Sequence, residues 1–348
     1  MSGSLWNENG GVYLGYASEA TEGPPPPLTK ELRYKDDRHI LVTGPNGSGK
    51  SMRFIYPNVM TLIGWSMLIN DVKGEMFDKT AAHRRASGNI VIRLDPFNVC
   101  GPGSDSFNPI AALPIDDNLP DDAMELAEAL IRISGNDTHW SEAAQELVCG
   151  LILYVRLVIP NGSLIDVRRL LGLDFIGWKR LIRGGYNTDP RQYELWEKTP
   201  EKDRDPDYEP PFKYDGKLYP GVIEASILHG WPEMDTKLAR FGNITPENRE
   251  MLSVISTALT QTRALDSRSI KKVLSGEGFD YSIAKERPVT VYLILPPRRL
   301  ATHSGWLRVM IASFLRPLMK DVKPAKVPVM LVLDELYASG LEALFRAL

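Results

Sequence analysis

In the stretch "ILVTGPNGSGKSMRF", residues 40–54, an apolar run ends in a glycine-rich turn followed by a lysine and a hydroxyl. Gly44, Gly49, Lys50 and Ser51 satisfy G-x-x-x-x-G-K-[ST], the spacing of a phosphate-binding loop when a strand precedes it and a helix follows. Glycines there let backbone N–H groups turn inward on phosphates, a lysine ammonium faces the outer phosphates, and a serine hydroxyl can ligate Mg²⁺. The candidate nucleotide-binding segment is therefore Gly44, Pro45, Asn46, Gly47, Ser48, Gly49, Lys50 and Ser51.

Such a loop works with a carboxylate at the end of a neighbouring strand that holds Mg²⁺ through water, and with an adjacent acid that polarises the attacking water. "VMLVLDEL" (329–336) offers Asp334 as the metal-side acid, alongside Ser51, and Glu335 as the catalytic base. The plainer alternative is that this pair caps the next helix. Asp71 in "MLINDVKGE" (67–75) also ends an apolar strand. It ranks behind Asp334 because Lys73, two residues on, would partly neutralise it.

The elements that must position these residues are apolar runs, each ending at a polar or turn residue: "HILVTG", "WSMLIND", "NIVIRLDP", "VTVYLILPP" and "VPVMLVLDE". They predict five buried parallel strands. Segments such as "DKTAAHRRAS" and "GWLRVMIASFLRPLMKDV" carry helical spacing, so the alternation predicts a doubly wound α/β sheet. Ligands bind such sheets at the carboxyl ends of strands, where Gly44, Asp71, Asp95, Pro296 and Asp334 fall.

The expected organisation has four parts. Residues 1–37 hold a strand ("GVYLGY") and a linker with four consecutive prolines; 38–115 and 281–348 form the nucleotide-binding domain; 116–280 form an inserted all-α domain of amphipathic helices. Within the insertion, the Pro- and charge-rich stretch from about Asp189 to Asp215 lacks periodicity and reads as a surface excursion or partly disordered.

At 348 residues, 43% apolar, the chain can bury a sizeable core. A net charge of −3 excludes a bulk positive field for nucleic acid, so any DNA contact is local. Cys100 and Cys149 supply neither a disulfide framework nor a metal cluster and read as core residues; the five histidines show no metal spacing. No run approaches the roughly 18 apolar residues of a membrane helix, so the chain reads as soluble, without membrane contact of its own.

Several phrases in order, "GPNGSGKS", "NDVKGE", "LDPF" with "FNPI", "HWSEAAQELVCGLIL", "LSVISTALT" and "LVLDE", resemble the coupling ATPases of type IV secretion systems, the TraG/TraD family. The resemblance runs from about Gly11 to the end. It implies a RecA-like P-loop NTPase domain with an all-α insertion, in homo-hexamers on the cytoplasmic face of the bacterial inner membrane. These hydrolyse ATP to deliver relaxase-bound DNA, protein effectors or both to secretion channel components. By position, Lys50 and Ser51 resemble the family's nucleotide-binding pair and Asp334 with Glu335 its Walker B pair; "NDVKGE" and "LDPF" resemble strand-end loops beside the nucleotide. The family's membrane helices are absent here, and its sensing glutamine and arginine finger are expected beyond Leu348, so weak hydrolysis by this chain alone is expected. The alternative is a nucleotide-gated receptor platform for protein cargo with little motor activity.

Outside the loop, Arg263, Arg268, Lys271 and Lys272 suit either a solvated helix face or a contact to DNA or a neighbouring subunit. Arg298 and Arg299 follow a strand end, as a surface pair or as a contact to nucleotide or subunit. Trp140, after His139, reads as a packing anchor more than a base-stacking platform.

Overall fold

The computed structural model describes residues 10–17, 30–36, 38–45, 47–133, 138–185, 188–205, 208–276, 279–320 and 324–334. The chain begins with an antiparallel pair, β1 (Val12–Ala17) and β2 (Lys30–Tyr34). After the glycine loop, one wide turn over Ser51–Ile55, with Tyr56 N–H reaching back to Ser51 O, runs into α1 (Tyr56–Thr61). Then follow β3 (Ser66–Asn70), α2 (Glu75–Ala86) and β4 (Ile90–Leu94).

A long helical stretch comes next: α3 (Leu119–Leu130), α4 (His139–Val158), α5 (Leu164–Leu171), α6 (Phe175–Arg183) and α7 (Pro190–Lys198). It continues through a short hairpin of β5 (Phe212–Tyr214) and β6 (Lys217–Tyr219) to α8 (Val222–His229), α9 (Pro232–Leu238), α10 (Arg249–Gln261) and α11 (Arg268–Leu274). The chain then returns through β7 (Val289–Leu293), α12 (Pro297–Met319) and β8 (Val329–Leu333).

Four of the five expected runs form one parallel sheet in the order β4-β7-β3-β8. Alternation sorts their side chains by face. Leu68, Ile92, Leu94, Val289, Val291 and Leu293 join a core shared with α3, α4 and α12. Met67, Ile69, Tyr292, Ile294 and Val332 join a second core with Val59 and Leu62 at α1, and with Met76 and Ala81 of α2. The sheet is thus covered on both faces, as parallel pairing requires.

The fifth run departs from expectation. Residues 39–45 form no strand, and Leu41 is 83% exposed. Apolar β-branched sequence is insufficient without a ladder partner, and among the described residues β8 pairs only with β3.

The helical insertion differs from expectation in three ways. It contains the β5–β6 hairpin. Its α4 is not amphipathic along its length: every residue from Leu147 to Val155 is buried, since helices α3, α5, α8, α9 and α10 surround it. The Pro- and charge-rich excursion is folded where described. Asp189 caps α7 by accepting from Arg191 N at 2.9 Å, Tyr193 is buried, and the Arg204 and Arg180 guanidiniums lie 4.3 and 5.3 Å from the Trp196 ring centroid. Cation–π contacts there replace the apolar periodicity that sequence reasoning looks for.

Two buried polar residues fix α1, the helix that continues the glycine loop. Asn58 accepts from Tyr13 N (2.7 Å) and donates to Tyr13 O (2.9 Å), docking β1 on α1 as a strand partner would. Arg84 of α2, fully buried, donates through Nη1 to Val59 O (3.2 Å) and Leu62 O (2.6 Å), through Nη2 to Trp65 O (2.5 Å) and through Nε to Thr290 Oγ1 (2.9 Å). It thereby satisfies carbonyls that the end of α1 leaves without helical partners. Burial pushes its pKa down to about 10, so it stays charged at neutral pH.

Arg84→Met should therefore lower the unfolding free energy by about 3 kcal/mol or more, because several buried carbonyls lose their donors together. Urea unfolding checks this; a loss below about 1 kcal/mol would show that those carbonyls find other donors.

Candidate functional site

A cleft of about 840 Å³ opens at the carboxyl ends of the strands. It is lined by the glycine loop from Gly47 to Met52 and, after β3, by Asn70 to Lys73 with Glu75 and Met76. Pro297, Leu300 and Ala301 in the first turns of α12 add an apolar side, and Asp334 sits among them. That apolar side was not legible from the sequence, where only the arginines of "ILPPRRL" stood out.

The loop closes through Ser48 N donating to Pro45 O at 3.2 Å, and the helix starts with Arg53 N donating to Gly49 O at 2.7 Å. Gly49 has φ of 85°, a left-handed conformation that side chains rarely adopt, so the helix start depends on glycine here. Lys50 Nζ folds back onto the loop, donating to Gly44 O (2.6 Å) and Pro45 O (3.2 Å). Asn46 and Glu335 lie outside the described residues.

Ser51 Oγ donates to Asp334 Oδ2 at 3.4 Å, although the two are 283 residues apart. Asn70, buried at the end of β3, donates from Nδ2 to Asp334 O at 2.8 Å and ties the two strand ends together. Its role was missed because a lone Asn before an Asp gives no pattern.

Mg²⁺ prefers octahedral oxygen ligands at about 2.1 Å, which places adjacent ligand oxygens roughly 3 Å apart. The Ser51–Asp334 spacing fits that geometry. Among the described residues no cluster of three or more His, Cys, Asp or Glu could hold a metal by itself.

Asp71 lines the same cleft but is committed elsewhere. It is 4% exposed, and its Oδ2 accepts from Phe77 N (2.8 Å) in the first turn of α2. It forms no ion pair with Lys73, contrary to the neutralisation expected from their spacing. Burial, opposed by backbone N–H donors, pushes its pKa up to about 6. Gly74 (φ 75°) allows the tight return, where a Cβ would collide with Cys100 Sγ.

Asp95 is likewise structural. Its carboxylate accepts from Val99 N and Cys100 N, both at 2.9 Å. Arg298 and Arg299 are exposed outside the cleft lining, with the Arg299 guanidinium 5.2 Å from the Phe97 ring centroid. Arg263, Arg268 and Lys272 are exposed and Lys271 half-buried. Trp140 packs half-buried against the main core, and Cys149 is fully buried while Cys100 is half-buried.

A glycine loop feeding a helix, facing an aspartate at the end of a parallel strand, defines an α/β P-loop nucleotide-binding fold of the RecA-like class. The comparisons sharpen that class to a family. The profile described as "Type IV secretory system Conjugative DNA transfer" matches residues 9–171 and 228–344, and the chain belongs to this family.

Among curated relatives, the conjugal transfer protein TraG of Escherichia coli is 31% identical over 136 residues, covering 37% of this chain and 21% of TraG. The chain therefore spans a small part of such relatives. Among solved structures, the plasmid coupling protein TrwB in complex with the non-hydrolysable GTP analogue GDPNP superposes with a TM-score of 0.52 at 14% identity, covering 85% of this chain and 56% of TrwB. TrwB in complex with ADP and Mg²⁺ gives 0.50 at 15% identity, covering 84% and 55%. At such identity these likenesses show the fold. Among the described residues no helix is long and apolar enough to cross a membrane.

Asp71 carries a pH prediction. With its folded-state pKa raised from 3.8 to about 6, the folded protein holds this proton more tightly than the unfolded chain. Its contribution is thus fully present below pH 4 and is lost as pH rises through 6, a change of about 3 kcal/mol. Asp71→Asn should gain stability relative to wild type by about 2.5 kcal/mol between pH 4 and pH 7.5, measured by urea unfolding at both. A pH-independent difference would place the carboxylate in an ordinary environment.

Proposed function

We infer that this chain is the nucleotide-binding part of a type IV secretion coupling protein, an ATPase that drives substrate transfer. The observation that carries the reading is Ser51 Oγ within 3.4 Å of Asp334 Oδ2, at one end of a strand-end cleft, in a chain of this family. ATP lies with its phosphates on the loop from Gly44 to Ser51. Ser51 and Asp334 would hold Mg²⁺, which would supply charge neutralisation at the phosphate oxygens. Lys50 exchanges the carbonyls of Gly44 and Pro45 for phosphate oxygens, and Glu335 takes the proton of the attacking water.

The same reading assigns residues 38–115 and 281–348 to the motor and 116–280 to an inserted helical domain. It places the parent protein at the cytoplasmic face of the inner membrane, in a homo-hexamer that passes relaxase-bound DNA or protein effectors to the channel. A neighbouring subunit supplies the arginine that completes the site. The TrwB complexes with ADP and Mg²⁺ and with a GTP analogue support nucleotide as the ligand, and TraG supports conjugal transfer as the setting.

Lys50→Ala should abolish ATP turnover with the fold intact, whereas Glu335→Gln should keep ATP binding and slow cleavage by at least about 100-fold. Turnover is measured with and without DNA at fixed salt. Stimulation by DNA, absent in Lys50→Ala, supports a DNA motor. Indifference to DNA would make the protein a platform for protein cargo, and normal turnover in Lys50→Ala would remove the assignment.

A further inference from the structure

The segment after β3 brings to the cleft a cation, Lys73, that the phosphate loop and the Ser51–Asp334 pair leave unused. Lys73 lines the cleft with Lys50, Ser51 and Asp334 and is exposed, and its side chain has no hydrogen-bond or ion-pair partner among the described residues. Its neighbours explain why. Asp71, two residues earlier, gives its carboxylate to backbone N–H groups of α2, and Glu75, two residues later, pairs with Lys79 at 3.8 Å. The backbone that bears Lys73 is nevertheless held firmly, between the buried Asp71 and the left-handed turn at Gly74.

The charges of the cleft point the same way. Its ionisable lining is Lys50, Lys73, Asp71, Glu75 and Asp334. Without Lys73, one ammonium would stand against three carboxyl groups, a poor field for a polyphosphate. Lys50 belongs to the loop wall, where backbone N–H groups surround the phosphates nearest the helix. A long side chain entering from the end of β3 would be in a position to reach a part of a polyphosphate that extends beyond the loop. An ammonium, a compact charge with rotatable donors, suits a phosphate whose orientation changes when it is cleaved.

We propose that Lys73 is a second phosphate-binding cation of this cleft, contacting the outermost phosphate of a nucleoside triphosphate and so separating triphosphate from diphosphate. This rests on the nucleotide reading of the site.

Calorimetric titration tests it with the Mg²⁺ complexes of a non-hydrolysable ATP analogue and of ADP, on wild type, Lys73→Ala, Lys73→Arg and Lys50→Ala. Lys73→Ala should weaken the triphosphate about tenfold, as expected for one hydrogen bond between charged groups, and leave ADP within about twofold. Lys73→Arg should restore most of the loss, and the thermal midpoint should stay that of wild type because the side chain is exposed. Equal losses for both nucleotides, or none, would overturn the proposal while the loss of binding in Lys50→Ala upholds the nucleotide site. Absence of binding by wild type would overturn both.

Discussion

The pairing of β3 with its two neighbours governs where every group of the cleft falls. Asn70 pairs with Leu333 on one side and Leu293 on the other, so the chain leaves β3, β7 and β8 at one level. Asp71 N then donates to Leu293 O at 2.9 Å, and Asn70 Nδ2 to Asp334 O at 2.8 Å, extending the ladder beyond the strands. Side chains alternate with a period of two, so a slip of one residue would send Met67 and Ile69 into the wrong core and turn Asp334 away from Ser51. Because both faces are buried, such a slip costs apolar contact on each, and the register is strongly specified.

Helix α2 acts as a strut between the two halves of the cleft. At its N-terminal end Asp71 accepts from Phe77 N, a bond that offsets part of the cost of burying the carboxylate; near its C-terminal end Arg84 grips the carbonyls of Val59 and Leu62 at the end of α1. The loop after β3 and the helix after the glycine loop are thus held by opposite ends of one rigid element. Burying an acid and an arginine is costly when either lacks partners, and here backbone groups supply them. The arrangement leaves Ser51, Lys50 and Lys73 as the cleft groups with freedom to respond to a ligand.

Much of this was legible in the sequence because it rests on local pattern. The glycine loop, four strands, and Asp334 at a strand end follow from spacing and from runs of apolar β-branched residues. Arg84 was not, since in "DKTAAHRRAS" it resembles Arg85 and only the position of α1 makes it a buried donor. The pairing of Asp71 with α2 was also hidden: spacing placed Lys73 beside it, whereas the left-handed turn at Gly74 brings backbone N–H groups there first. Residues 39–45 have strand composition but no ladder partner among the described residues, and a ladder is a property of two segments that one segment's composition cannot report. In the Asp189–Asp215 stretch, order comes from aromatic rings under guanidiniums, which leave no hydrophobic period.

In the proposed mechanism Ser51 and Asp334 share one Mg²⁺ beneath a nucleotide. A double-mutant cycle of Ser51→Ala and Asp334→Asn, read as the factor by which Mg²⁺ tightens binding of a non-hydrolysable ATP analogue, addresses it directly. If they share the ion, either substitution should remove most of that factor and the double variant should lose little more. Independent, additive losses, or a Mg²⁺ effect that survives both substitutions, would contradict the shared site.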